Sequence, residues 1–210
     1  MCHHCAPRRC KMKENVRISV YRKRHEDLIH LFQMERGLVA CTDFHGLMQT
    51  LNFNHNSLDW RLFIDSSQSS LKAVLLHNGK TLPSIPLGHS VHEKESYENM
   101  KIMTEVINYD KFKWQISGDL KVIALLLGLQ RRFTKYCCFF CEWDSRARSL
   151  QYSRKDWPAR KSLEPGIMNV ENQQLVEPSK ILLPSMHVKL GLMKNFVKTM
   201  KQEEAAFTYL

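Results

Sequence analysis

Apolar and polar positions alternate regularly only in the middle of the chain. A run of Trp60-Arg-Leu-Phe-Ile-Asp65 predicts a strand over 61–65 that ends on a carboxylate. After the polar turn at 66–70, Leu71-Lys-Ala-Val-Leu-Leu-His77 predicts a second strand. Asn78-Gly79 is the favoured pair for a two-residue hairpin turn. A third strand is expected over 81–87, at a sheet edge, because Pro83 and Pro86 cannot donate ladder hydrogen bonds. Residues 93–109 have helical spacing, with Tyr97, Met100, Met103, Val106 and Ile107 on one face. Residues 112–117 return to strand character and deliver Gly118-Asp119. An apolar helix over 120–129 follows, closed by Gly128, and then a fifth strand over 133–140. The predicted order is β-β-β-α-β-α-β, an α/β (α+β) fold on a mixed sheet.

The flanks are less regular. Residues 1–56 form a basic opening, with a strand and short helix within 16–32 and another short helix over 38–53. Cys2-His-His-Cys5 and Cys10 have ligand-like spacing, but no second pair follows at finger distance. Residues 143–180 are rich in Arg, Lys, Ser and Pro and contain no long periodic segment. Over 188–200, Leu190, Met193, Phe196, Val197 and Met200 give an amphipathic helix. The chain stops in an apolar-aromatic stretch at Leu210, which reads as a truncation. Four regions result: a basic N-terminal segment (1–56), a core (57–142), a basic irregular insertion (143–180) and a C-terminal helix (181–210).

Charge changes this picture more than composition does. A formal charge of +10 on 210 residues suggests an anionic partner, DNA ahead of a membrane surface. No apolar run approaches the ~20 residues that span a bilayer. The N-terminus lacks the hydrophobic segment of a secretory signal, so a nuclear or cytoplasmic location is expected and secretion is not. The seven cysteines are then thiols or metal ligands.

Candidate chemistry gathers at three places. Asp65 and Asp119 each end an apolar run, badly placed for packing and well placed for a cation. On neighbouring strands they make half of a divalent-metal site. Asp65 is alternatively a turn former and Asp119 alternatively the N-cap of the helix at Leu120. Cys138 and Cys141, at C-x-x-C spacing, are either two thiolates of a structural Zn2+ site, buried small hydrophobes, or a redox pair. Residues 131–161 carry nine Lys and Arg against three acids, interleaved with Trp143 and Trp157. Arg131, Arg132, Lys135, Arg146, Arg148, Arg154, Lys155, Arg160 and Lys161 are therefore the candidate DNA-backbone surface.

The strand order with paired acids resembles the RNase H-like core of DDE transposases and recombinases. It is closer to the eukaryotic cut-and-paste group in which Cys-x-x-Cys follows the second aspartate, the group of the V(D)J recombinase and its transposon relatives. The residues that carry the resemblance are Phe63-Ile-Asp65, Ser117-Gly-Asp119-Leu-Lys, Cys138-Phe-Phe-Cys141 and Met186-His187-Val-Lys-Leu-Gly191. The wording of 60–200 is also similar to a transposon-derived family repeated in invertebrate genomes.

The resemblance implies that Asp65 and Asp119 are catalytic and bind Mg2+ or Mn2+ for phosphodiester attack on DNA. It also implies that His187 joins the cysteines on zinc. A third acid on a late helix is expected, and none stands in that context: Glu203 and Glu204 come too early. The expectation is a transposase-derived DNA-binding protein with an incomplete metal-dependent nuclease core. The alternatives are a non-catalytic zinc-stabilised module binding DNA or protein, and an ordinary α/β protein.

Overall fold

The computed structural model of the chain describes residues 26–67, 69–90, 95–131, 134–151 and 153–200. Six strands form one mixed sheet: β1 (Phe32–Glu35), β2 (Leu38–Cys41), β3 (Trp60–Ser66), β4 (Leu71–His77), β5 (Ile85–Ser90) and β6 (Gln115–Gly118). Their spatial order is β1-β2-β5-β4-β3-β6. Only β3 and β6 run parallel; every other pair is antiparallel. Five helices accompany them: α1 (Phe44–Thr50), α2 (Tyr97–Val106), α3 (Tyr109–Phe112), α4 (Leu120–Leu126) and α5 (Ser185–Thr199).

The sheet has two unlike faces. Along β3, Trp60, Leu62 and Ile64 are buried while Arg61, Phe63 and Asp65 alternate to the other side. Helices α1, α2 and α4 supply the partners of the buried face through Phe44, Leu47, Met100, Met103, Val122 and Ile123. Two strand glycines set the approach distance. A Cβ on Gly88 would meet Met103 Sδ, and one on Gly118 would meet Val122 and the Ile64 carbonyl. Among the described residues, no helix is long and apolar enough to cross a membrane.

The predicted β-β-β-α-β-α series is present, with four differences. Residues 38–41 are strand β2, not helix, and with β1 they form a hairpin turned by Arg36 (φ 49°) and Gly37 (φ 79°). Positive φ at both turn positions is the geometry that matches strand twist. Because β2 pairs with β5, residues 32–41 belong to the same sheet as the core. Second, Asn78-Gly79 does not close a two-residue hairpin, since β5 starts only at Ile85. Asn78 instead ties the start of β3, its amide donating to Leu58 O (2.8 Å) and its carbonyl accepting from Arg61 Nη1 (3.1 Å).

Third, β5 is interior, not an edge. It tolerates Pro86 because β2 pairs it only at Gly88 and His89, and a bulge against Ala73 and Val74 surrounds the proline. Fourth, the fifth strand expected over 133–140 is absent from 134–140, which are turns and irregular chain. Beyond β6 its place is taken by one parallel bridge, Ile116 to Ile181, with Leu182 N donating to Ile116 O at 2.7 Å.

The long segment between α4 and Ile181 is held by polar bonds to the backbone. Gly128 ends α4 at φ 68° and its carbonyl accepts from Glu171 N and Asn172 N; a Cβ there would overlap the Asn172 carbonyl. Arg160 is half-buried and its guanidinium donates to three carbonyls: Cys138 (3.1 Å), Tyr136 (3.0 Å) and Met168 (3.2 Å from each Nη). On the other side of the core, Trp114 is fully buried and donates its indole N–H to His55 Nε2 at 2.9 Å. Phe44 and Phe112 meet the same imidazole edge-on.

Two outcomes follow from these bonds. Arg160→Lys keeps the charge but loses the fork, and orphans carbonyls in a half-buried loop. It is expected to cost about 2–4 kcal/mol in urea unfolding, whereas Lys161→Ala costs under about 0.5. Burial, then the nearby His45, lowers the His55 pKa below its ordinary value, so the native state binds that proton less well than the unfolded chain. Stability is therefore full above about pH 6.5 and falls as pH drops through the lowered value. Thermal midpoints measured from pH 8 to 5 should show this slope, and His55→Gln should flatten it.

Candidate functional site

The parallel pairing of β3 with β6 brings the two aspartates together. Its register runs Arg61 to Gln115, Leu62 to Ile116, Phe63 to Ser117 and Ile64 to Gly118. Asp65, still within β3, and Asp119, the residue after β6, come next along each chain. Asp119 keeps an extended backbone (φ −75°, ψ 170°), and its Oδ1 accepts from Val122 N at 2.8 Å, capping α4. The cap reading of Asp119 is therefore realised, and it fixes one oxygen and leaves the other. Asp65 is exposed, and its carboxylate makes no hydrogen bond within the described residues. It does not form the predicted turn to the serine amides: Ser67 N donates to Ser70 O instead.

A hard cation such as Mg2+ is ordinarily taken with one or two carboxylates and water. Among the described residues no group of three or more His, Cys, Asp or Glu converges on a metal position. Glu203, Glu204 and His92 lie outside the described residues.

The cysteines form a second cluster on the segment that Arg160 clasps. Cys141 pairs with Ala159 in an isolated bridge, flanked by Glu142 N to Pro158 O (2.9 Å) and Arg160 N to Phe140 O (2.9 Å). Burial, and then a hydrogen bond with Cys138, raises the Cys141 pKa; burial also raises Cys137. A structural zinc site needs four ligands, and Cys138 and Cys141 are two candidates for it. His187 lies on α5, and its side chain is outside the described set, as are Cys2, Cys5 and Cys10.

The nine basic candidates differ in what already holds them. Arg131 donates to Glu95 O at 2.6 Å and pairs with the Glu95 carboxylate at 3.6 Å. Lys135 pairs with Asp144 at 3.4 Å and lies 4.8 Å over the Tyr136 ring. Arg160 is the loop clasp and is spent on carbonyls. Arg132 is outside the described residues. Arg146, Arg148, Arg154, Lys155 and Lys161 are exposed, with Arg154 stacked 4.7 Å over Trp157.

The sequence marks His77, His89 and His92 as surface histidines flanking the first site, but it does not single out Lys72 on the face where Asp65 stands. Lys72 is the cross-strand partner of Asp65, and His89 is the partner of Lys72. All three are exposed. Only the strand register reveals this row. The sequence signal was the alternation itself, which sets Lys72 and Asp65 on the polar side of their strands.

Against known proteins the chain is met only by family models. One, described as a domain of unknown function (DUF8703), matches residues 20–176. A second, also described as a domain of unknown function (DUF8704), matches residues 185–210 and begins at the first residue of α5. No curated protein matches, and no solved structure matches. The first model spans most of the chain, and the chain belongs to the DUF8703 family.

Proposed function

We propose that this chain is a transposase-derived DNA-binding protein whose sheet is an RNase H-like core, with a metal-dependent nuclease site that is incomplete. One observation carries the reading. The antiparallel meander β3-β4-β5 is followed by a helix and then by β6, parallel to β3, so that Asp65 and Asp119 end adjacent strands. A carboxylate pair so placed is the half-site that the resemblance requires.

Mg2+ or Mn2+ bound there lowers the pKa of an attacking oxygen and neutralises charge on the phosphate. The protein's part is to hold the acids. Val122 N–H fixes Asp119 at Oδ1 and leaves Oδ2 for the ion. Asp65 offers both oxygens from a rigid strand. A second ion needs a third acid, and the two-metal arrangement is incomplete without it. DNA phosphates are met by the exposed set Arg146, Arg148, Arg154, Lys155 and Lys161.

The second reading, a non-catalytic zinc-stabilised module binding DNA or protein, is favoured by the Cys138–Cys141 hydrogen bond at a bridged loop. That pair sets two thiols side by side, and His187 is the third donor under this reading.

Calorimetric titration with Mn2+ is expected to give about one ion per chain, and Asp65→Asn and Asp119→Asn should each abolish it. Asn still caps a helix, so Asp119→Asn tests the ligand and leaves the fold intact. Mn2+-dependent nicking of supercoiled plasmid that vanishes in Asp119→Asn would identify a working enzyme instead. Mn2+ binding that survives both variants would sink the reading. For the second reading, metal analysis of the purified chain should find about one zinc, lost in Cys138→Ser; no zinc in the unmutated chain refutes it.

A further inference from the structure

A row of exposed side chains crosses the sheet at Asp65. Cross-strand partners point to the same face, so the register Asp65–Lys72–His89–Val39 lines up four strands on the side opposite the helices. Lys72 stands one strand spacing from Asp65, about 5 Å, and His89 about 10 Å away. An Asp–Lys cross-strand pair ordinarily contributes ~0.2–1 kcal/mol through its ion pair. Here the ammonium lies beyond ion-pair range of the carboxylate, although the two residues are direct partners.

The next row, Phe63 and Val74, is apolar and half-buried, and Arg61 follows it, held by Asn78. The open face thus grades from acid pair to base, over an apolar floor. The exposed arginines of 146–161 lie on a different segment, beyond α4.

We propose that Lys72, with His89 beside it, is a positioning residue that binds a DNA phosphate adjacent to the one at the Asp65–Asp119 pair. A DNA strand then reaches the acids across β4 and β5. The inference rests on the carboxylate-pair reading above and adds the direction and the side chains of approach. The chemistry is that of any phosphate track: a cation beside the metal carboxylates keeps the polyanion on the face where two acids alone would repel it.

The test is fluorescence anisotropy of a labelled 30-base single strand and a 30-bp duplex with the full chain. Ca2+ is present in place of Mn2+, so that binding is read without cleavage. Lys72→Gln is expected to raise Kd about fivefold or more and to lower the salt slope by about 0.7 on the single strand and 0.9 on the duplex. Lys72→Arg should restore both, and Lys101→Gln, exposed on α2 away from this face, should change neither.

An unchanged Kd and slope in Lys72→Gln, or no binding of either probe by the unmutated chain, overturns the proposal. Mn2+ titration separates it from the parent reading. If Mn2+ does not bind yet Lys72→Gln weakens DNA binding, the metal reading fails and the phosphate track stands. If Mn2+ binds and Lys72→Gln is silent, the reverse holds.

Discussion

Four residues of β6 run parallel to β3, and the arrangement of the site follows from that one pairing. Gly118 makes it possible: a side chain there would collide with the Ile64 carbonyl and with Val122 of α4. The pairing fixes which residues come next on each strand, and those are the two aspartates. It also forces a crossover, supplied by α2 and α3, that lays Met100, Met103 and Tyr109 on the buried face. A one-residue slip would exchange the faces of β6 and bury Ser117 in place of Ile116.

Much of this was legible in the sequence because it depends on local period. The strands over 61–65 and 71–77, the helix facing Met100 and Met103, and the helix capped by Asp119 all declare themselves by alternation or 3.6-residue spacing. What failed was pairing. Pro86 argued for an edge strand, yet the neighbouring strand leaves off before it reaches the proline. Arg36-Gly37 is a weaker turn signal than Asn78-Gly79, yet the former closes a hairpin and the latter is recruited to brace β3. Two-residue turns form only where the flanking strands are in register, a non-local condition.

The C-terminal helix shows the same limit from the other direction. Its amphipathic spacing correctly predicts helix α5, but Leu190, Met193 and Phe196 are each more than half exposed. Periodicity reports that a helix has an apolar side and not that anything covers it. Likewise nine clustered basic residues read as one surface, while the fold spends Arg160 on three carbonyls and Arg131 and Lys135 on acids. Charge in sequence is a count; charge available to a partner is what remains after the loop has closed.

Under the proposed reading, the cap on α4 and the cation ligand are the same carboxylate, and the two roles reinforce each other. A free aspartate at a strand end samples several rotamers, and binding a cation must freeze them at some entropic cost. Asp119 is already held by the Val122 amide, so that cost is met during folding. Asp65 has no such partner within the described residues, and its neighbour across the strand is a lysine it does not touch. The pair is thus asymmetric: one acid is oriented by the helix, and the other is held by no partner within the described residues. Under the same reading, the lysine on the open side of this pair would draw an anion from the direction of β4. The other side is closed by α4 and the bridge at Ile181.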